Sequence, residues 1–284
     1  MQRTITLIIA TITTAIAFCA EPTRHSFSYS DTTRTYTMIM PDSLSPYRPL
    51  VICAHGYGSR NRNYNDLNTA AAQYGFAVCY PDGAPDSRGK DGWNVGYPSQ
   101  QTMTIDETNF FDALLTEVCD KFNLNRNNAF LSGMSNGGDL CYHIAYTRPE
   151  LFKAYASVAG LTFTWMYMQN RLTKPVPFIE IHGTADKTSM WEGDPTNSGG
   201  WGEYLPVPLA VAAIAYNNRC TATTTNPIQA QPGSEKRVMR HDYTGSPYSA
   251  DVVLIEIEGG KHSWANKDIP TGQIICEFLS QYLD

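Results

Sequence analysis

Ser135 stands between two glycines in the run Gly133-Met134-Ser135-Asn136-Gly137. A serine hydroxyl attacks an acyl carbon only when a base takes its proton. Histidine suits that task because its unperturbed pKa lies near neutrality, and a carboxylate fixes its tautomer and stabilises the imidazolium. His262, in Gly259-Gly260-Lys261-His262-Ser263-Trp264, and Asp186, in His182-Gly183-Thr184-Ala185-Asp186, are the base and acid of choice. The chemistry open to such a set is acyl transfer through a covalent intermediate. That reaction develops an oxyanion needing two N–H donors. Asn136, directly after the nucleophile, supplies one. Tyr57, in His55-Gly56-Tyr57-Gly58, supplies the other, and its flanking glycines let backbone approach a substrate.

The chain holds six histidines, and the other five are weaker candidates. His182 lies only four residues before Asp186 and reads as a strand-end residue with its side chain turned away. His55 reads as ordering the oxyanion loop, and His143 as packed or on the surface. His25 and His241 have no supporting context. Asp194 and Asp251 compete with Asp186 for the acid, whose bland reading is a solvated loop carboxylate.

These residues need elements that hold them. Ala129 to Leu131 reads as a strand and the segment from Leu140 as a helix, which leaves room only for a sharp turn at Ser135. Glycine on both sides removes the clash that side chains would meet there. Leu50 to Ala54 is a continuous apolar run, the mark of a strand covered on both faces, and Phe76 to Tyr80, Ala154 to Val158 and Val176 to Ile181 read as further strands. Helices fall between them, over Leu67 to Tyr74 and about Ile105 to Phe122, then Val207 to Tyr216 and Gly272 to Leu283. Residues 26 to 40 alternate as an edge hairpin, and two further strands lie near Lys236–Tyr243 and Asp251–Ile257. The segment between Tyr216 and Glu235 reads as polar loop. This pattern predicts a single α/β domain over 21–284, a mostly parallel sheet with helices on both faces and an antiparallel N-terminal hairpin at its edge. Sites on such sheets gather outside the carboxyl ends of the strands, where Ser135, Asp186 and His262 all fall.

At 284 residues with a net charge of −6, the chain has no basic block for nucleic acid. It has no cysteine and histidine spacing for zinc, and the proposed chemistry needs neither a metal nor an organic cofactor. Residues 1–20 combine Arg3, an apolar stretch and Ala15-Ile16-Ala17, as a secretory signal does, too short for a membrane span. A secreted or periplasmic location follows as an expectation. Cys19 invites a lipoprotein reading, which bulky Phe18 opposes. Six cysteines remain (53, 79, 119, 141, 220 and 276). Buried cysteine commonly serves as a small hydrophobe, so one or two disulfides at most are expected, with Cys220 the foremost participant. All five tryptophans follow strand carboxyl ends. Trp93, Trp201 and Trp264 are expected to line a cleft, where flat rings stack on sugars or a phenolic acyl group; Trp165 reads as a loop brace.

Taken together, His-Gly-x-Gly, Gly-Met-Ser-Asn-Gly-Gly, His-Gly-Thr-Ala-Asp and Gly-Gly-Lys-His-Ser-Trp resemble the secreted esterases of the feruloyl esterase and polyhydroxybutyrate depolymerase family over roughly residues 35 to 280. Trp93-Asn94 and Asp106 fit the same pattern, and the chain order Ser, Asp, His is that of α/β-hydrolases. The resemblance implies the α/β-hydrolase fold and carries that family's triad onto Ser135, Asp186 and His262. Two loops depart from it: Lys187-Thr188-Ser189-Met190-Trp191 replaces a Val-Pro-Tyr, and Trp264-Ala265-Asn266 replaces a Trp-Pro-Gly. The expected activity is hydrolysis of carboxylic esters on plant cell-wall polysaccharide, of the feruloyl esterase type. Acetyl xylan esterase and polyhydroxybutyrate depolymerase are the alternatives, and a catalytically inactive carbohydrate-binding homologue is the non-enzymatic one.

Overall fold

A computed structural model describes residues 21–41, 46–60, 63–169 and 172–284; the signal-sequence reading of residues 1–20 lies outside them. In chain order the elements are β1 (Thr23–Tyr29), β2 (Thr32–Ile39), β3 (Arg48–Ala54), α1 (Asn65–Tyr74), β4 (Ala77–Pro81), the short pair β5 (Ala84–Pro85) and β6 (Asp91–Gly92), then α2 (Glu107–Phe122), β7 (Leu124–Met134) and α3 (Asn136–Thr147). They continue with β8 (Tyr155–Val158), α4 (Thr164–Gln169), β9 (Phe178–Gly183), α5 (Val207–Asn217), β10 (Ala222–Ile228), β11 (Val238–Thr244), β12 (Val252–Ile257) and α6 (Thr271–Ser280).

Ten strands form one sheet in the order β1-β2-β4-β3-β7-β8-β9-β12-β11-β10. The six central strands from β4 to β12 run parallel. As expected, β1 and β2 make an antiparallel edge. The opposite edge is antiparallel as well, through β11 and a strand that sequence patterning missed, β10. β10 reads Ala-Thr-Thr-Thr-Asn-Pro-Ile and is exposed along nearly its whole length. It has no apolar face to announce it, and only its β-branched threonines favour extended backbone.

Period-two alternation of the strands divides the core. Leu50, Ile52 and Ala54 of β3 join α2, α3 and α5 on one face of the sheet. Val51 and Cys53 join α1 and α6 on the other. Each such aliphatic side chain, fully buried, contributes about 1.5–3 kcal/mol. α2 starts where the Asp106 carboxylate accepts the N–H groups of Thr108 and Asn109 at 2.9 and 3.2 Å, and it stops at Asn123 in the left-handed conformation (φ 54°). α1 and α6 touch at Gly272, where a Cβ would lie 2.5 Å from the backbone of Asp66 and Leu67.

The six cysteines among the described residues are free thiols, all buried except half-buried Cys220. The expected bridge at Cys220 is thereby corrected: its sulfur faces the Ala250 carbonyl at 3.9 Å. No helix of the described residues is long and apolar enough to cross a membrane.

Candidate active site

Strand register sets the rim on which the site stands. Ala54 pairs with Gly133, Met134 with Val158, Val158 with Ile181, and Gly183 with Ile257, so the parallel strands end level with one another. The loops that leave these ends carry the polar residues.

At the end of β7 the chain turns through Ser135, whose φ of 57° and ψ of −122° lie outside the regions side chains favour. Such a conformation costs about 1–3 kcal/mol and persists only when its surroundings impose it. Here the Ser135 N–H donates to Val158 O at 2.8 Å, while the Ser135 carbonyl accepts the first helical bond from Asp139 at 2.8 Å. A Cβ on Gly133 would lie 2.3 Å from Gly137 O, and one on Gly137 would lie 2.2 Å from Ala54 O. Both glycines are therefore required by close approach, and Ser135 is left at the N-terminus of α3.

His262, on the loop after β12, places Nε2 at 2.9 Å from Ser135 Oγ. Its Nδ1 lies 2.7 Å from Asp186 Oδ2, on the loop after β9. The other carboxylate oxygen of Asp186 accepts the N–H groups of Thr188 and Ser189 at 2.7 and 2.8 Å. A carboxylate only accepts, so the His262 proton sits on Nδ1 and Nε2 is free to accept from the serine hydroxyl. The three side chains singled out by sequence, 127 and 76 residues from their partners along the chain, thus form one continuous relay.

The other side of the serine is backbone. A Cβ at Gly56 would lie 3.3 Å from the Ser135 Cβ, so the loop after β3 packs directly on Ser135. His55 fixes that loop, as expected. Its Nδ1–H donates to Gly56 O at 2.8 Å and its Nε2 accepts from Gly83 N–H at 2.9 Å. Burial pushes its pKa down, which keeps the ring neutral. Asn136 is the first residue of α3, where helical geometry leaves N–H groups without an intrahelical partner. Its buried side chain grips the Trp93 backbone, accepting from N–H at 2.7 Å and donating to the carbonyl at 3.0 Å.

The family profile described as Esterase PHB depolymerase matches residues 35–169. The chain is 27% identical over 246 residues to feruloyl esterase D of Neurospora crassa, covering 83% of this chain and 76% of that protein. It is 24% identical over 248 residues to a bifunctional acetylxylan esterase/xylanase of Neocallimastix patriciarum, covering 85% of this chain and 32% of that longer protein. Among solved structures, acetyl xylan esterase from Aspergillus awamori matches with a TM-score of 0.57 at 16% identity, over 91% of this chain and 99% of that one, a likeness of fold. The chain is a carboxylic ester hydrolase, similar to the esterases of this family.

Two of the esterase's three expected cleft tryptophans are not in a cleft. Trp93 is completely buried, and its indole N–H donates to His55 O at 2.9 Å. It is a brace beneath the oxyanion-side loop. Trp264 is 5% exposed and stacks on Tyr64 with centroids 3.8 Å apart. Its N–H is shared between both Asp66 oxygens at 2.9 and 3.0 Å. The spacing that put these rings at the rim said nothing of which way they faced. Trp201 is only half-buried and lies edge-on to Tyr57 and tilted against Tyr97, at 5.5 and 5.1 Å. Trp165, expected as a loop brace, stands instead on α4 and packs edge-on against His143 of α3 at 5.7 Å.

The remaining histidines are occupied elsewhere: His25 stacks on Tyr36 and His241 pairs with Glu256. Asp194 accepts from Ser198 and Gly199 within its own loop, and Asp251 takes no part in the relay. Sequence reasoning missed a buried polar layer below the esterase's relay. Asp139 of α3 accepts from the Tyr97 hydroxyl and from Leu161 N–H. Burial pushes its pKa up to about 8, against the pull of those two donors. Glu180 of β9 lies completely buried beside His182. The signal for Glu180 was a charged residue between apolar ones in Phe178-Ile179-Glu180-Ile181; Asp139, after Gly137-Gly138, had no such signal.

Proposed function

We propose that this esterase is a secreted serine hydrolase that removes feruloyl or related acyl groups from plant cell-wall polysaccharide. The observation that carries the mechanism is the relay of 2.9 and 2.7 Å from Ser135 through His262 to Asp186. His262 Nε2 takes the hydroxyl proton as Oγ attacks the ester carbonyl, and Asp186 stabilises the imidazolium. The tetrahedral oxyanion is received by the N–H groups of Asn136 and Tyr57, each worth about 2.7–4 kcal/mol of transition-state stabilisation. His262 then protonates the leaving sugar alcohol. A water, deprotonated by the same nitrogen, releases the acid from Ser135.

The aromatic edge made by Tyr57, Tyr97 and Trp201 supports a flat phenolic acyl group on the oxyanion side. Relatives named as feruloyl and acetylxylan esterases support a polysaccharide ester. The export signal read in residues 1–20 supports secretion. The test is a fluorophosphonate probe on protein lacking residues 1–20, with Ser135→Ala as control, followed by methyl ferulate and acetylated xylan as substrates. Labelling lost in the variant and ferulate released support the reading. Acetate release without ferulate release moves the substrate to acetylated xylan, and absence of labelling overturns the serine mechanism.

A further inference from the structure

Near the Asp186 oxygen that His262 contacts lies a second histidine that the mechanism above does not use. The ring of His182 is completely buried. Its Nε2 lies 2.8 Å from Ser189 O, a carbonyl that can only accept, so Nε2 carries a proton. Its Nδ1 lies 2.8 Å from Glu180 Oε1. That same oxygen accepts the N–H of Gly160 at 3.2 Å, as a carboxylate would. Against a carboxylate at Glu180, both ring nitrogens face acceptors, an arrangement neutral imidazole cannot satisfy. Asp186 Oδ2 is 3.7 Å from Nε2.

We propose that His182 is held as an imidazolium by Glu180 and is a positioning residue whose charge and Ser189 contact fix the Asp186 carboxylate under His262. The inference rests on the serine-esterase reading for its effect on catalysis, but the charge state itself does not depend on it. The Ser189 backbone joins the two groups, its carbonyl accepting from His182 and its N–H donating to Asp186 Oδ1. Burial pulls the His182 pKa down, yet Glu180, the Ser189 carbonyl and Asp186 together hold it above its ordinary value. The charged and titratable groups around it are Glu180 on its own strand, Asp186 on the following loop, Asp139 from α3, Tyr142 of α3 against Glu180, and Tyr204 near Asp186 and Asp139. His262 stands beyond Asp186.

Two measurements test this. In protein labelled with nitrogen-15 at histidine, His182 is expected to show protons on both ring nitrogens from about pH 5 to about pH 9, whereas an ordinary histidine loses one near pH 6.5. Its signal is identified by its loss in His182→Gln, or by its change in Glu180→Gln where the first variant fails to accumulate. A neutral ring at pH 8 overturns the proposal whatever the enzyme hydrolyses. In the kinetic arm, kcat for 4-nitrophenyl acetate is expected to fall several-fold in either variant while KM holds. A loss carried by KM alone, or an unchanged kcat in a folded variant, also overturns it. Fluorophosphonate labelling of the unaltered enzyme, run alongside, reports separately on Ser135.

Discussion

In the proposed mechanism the acid, Asp186, and the base, His262, stand on adjacent loops, and the two loops are held by different physics. The Asp186 loop is held by directional polar contacts, two backbone N–H groups on one carboxylate oxygen and the buried His182 and Glu180 behind it. The His262 loop is held two residues away from the working ring. There Trp264 stacks on Tyr64, its N–H meets Asp66, and its carbonyl accepts from Thr271 at 2.7 Å. A carboxylate that only orients and neutralises gains from being fixed on every side. A base that must serve serine, leaving alcohol and water in turn gains from a ring left 22% exposed and anchored through its neighbour.

The comparison breaks most sharply at the acid. Asp186→Asn keeps the shape and the two N–H contacts but presents an amide to His262 Nδ1, which favours the wrong tautomer. A fall of about 10⁴-fold in kcat is expected with little change in melting temperature. Hydrolysis of 4-nitrophenyl acetate by a variant of native circular dichroism measures it; a fall under tenfold would show that the carboxylate is not the orienting group.

On the base side the expected loss is in folding first. Trp264→Ala removes a buried aromatic and should cost about 3–5 kcal/mol by urea denaturation. Trp264→Phe keeps the stack on Tyr64 and removes only the N–H shared by the Asp66 oxygens, a loss of about 1.5–3 kcal/mol. Asp66 still accepts from Gly272 N–H at 3.0 Å, which favours the lower figure. If the loop is held as argued, Trp264→Phe retains kcat within several-fold while its stability drops.

The buried layer under the acid side also sets a pH dependence. Asp139 titrates at about 8 in the folded chain and near 4 when unfolded. The folded state therefore holds the extra proton across that window, and stability from this group falls as pH rises through it. Asp139→Asn, which cannot ionise, should show a flatter change in urea midpoint between about pH 5 and pH 8 than the unaltered enzyme. An equal slope in both would remove Asp139 as the cause.

The contrast also explains what could be read from the chain in advance. The turn at Ser135 was legible because Gly133 and Gly137 answer a local steric demand, and the central strands because each carries a largely apolar run. The positions of Asp186 and His262 followed from their place after strands. β10 was hidden because an exposed threonine strand has no buried face to pattern it. The roles of Glu180, His182 and Asp139 were hidden because a buried charge is tolerated only through partners on other elements, and those pairings are absent from any local window. The tryptophans misled for the same reason: Trp93 and Trp264 share a rim position with Trp201, and only long-range contacts turn two of them inward.

Trp201 is where the difference between bracing and binding aromatics can be measured most finely. Its ring is half-buried against Tyr57 and Tyr97, and among the described residues its indole N–H is not tied to a carboxylate as that of Trp264 is. An aromatic contact of this kind is worth about 0.5–1.5 kcal/mol, so Trp201→Ala should raise KM for methyl ferulate by about two- to tenfold. Because the ring stands off the reacting atoms, kcat should hold, and an acyl group too small to reach it should not sense its loss. Hydrolysis of 4-nitrophenyl acetate is therefore expected to stay unchanged in both constants. A parallel loss on both esters, together with a drop in melting temperature, would class Trp201 with Trp264 as a brace and take the aromatic edge out of substrate recognition.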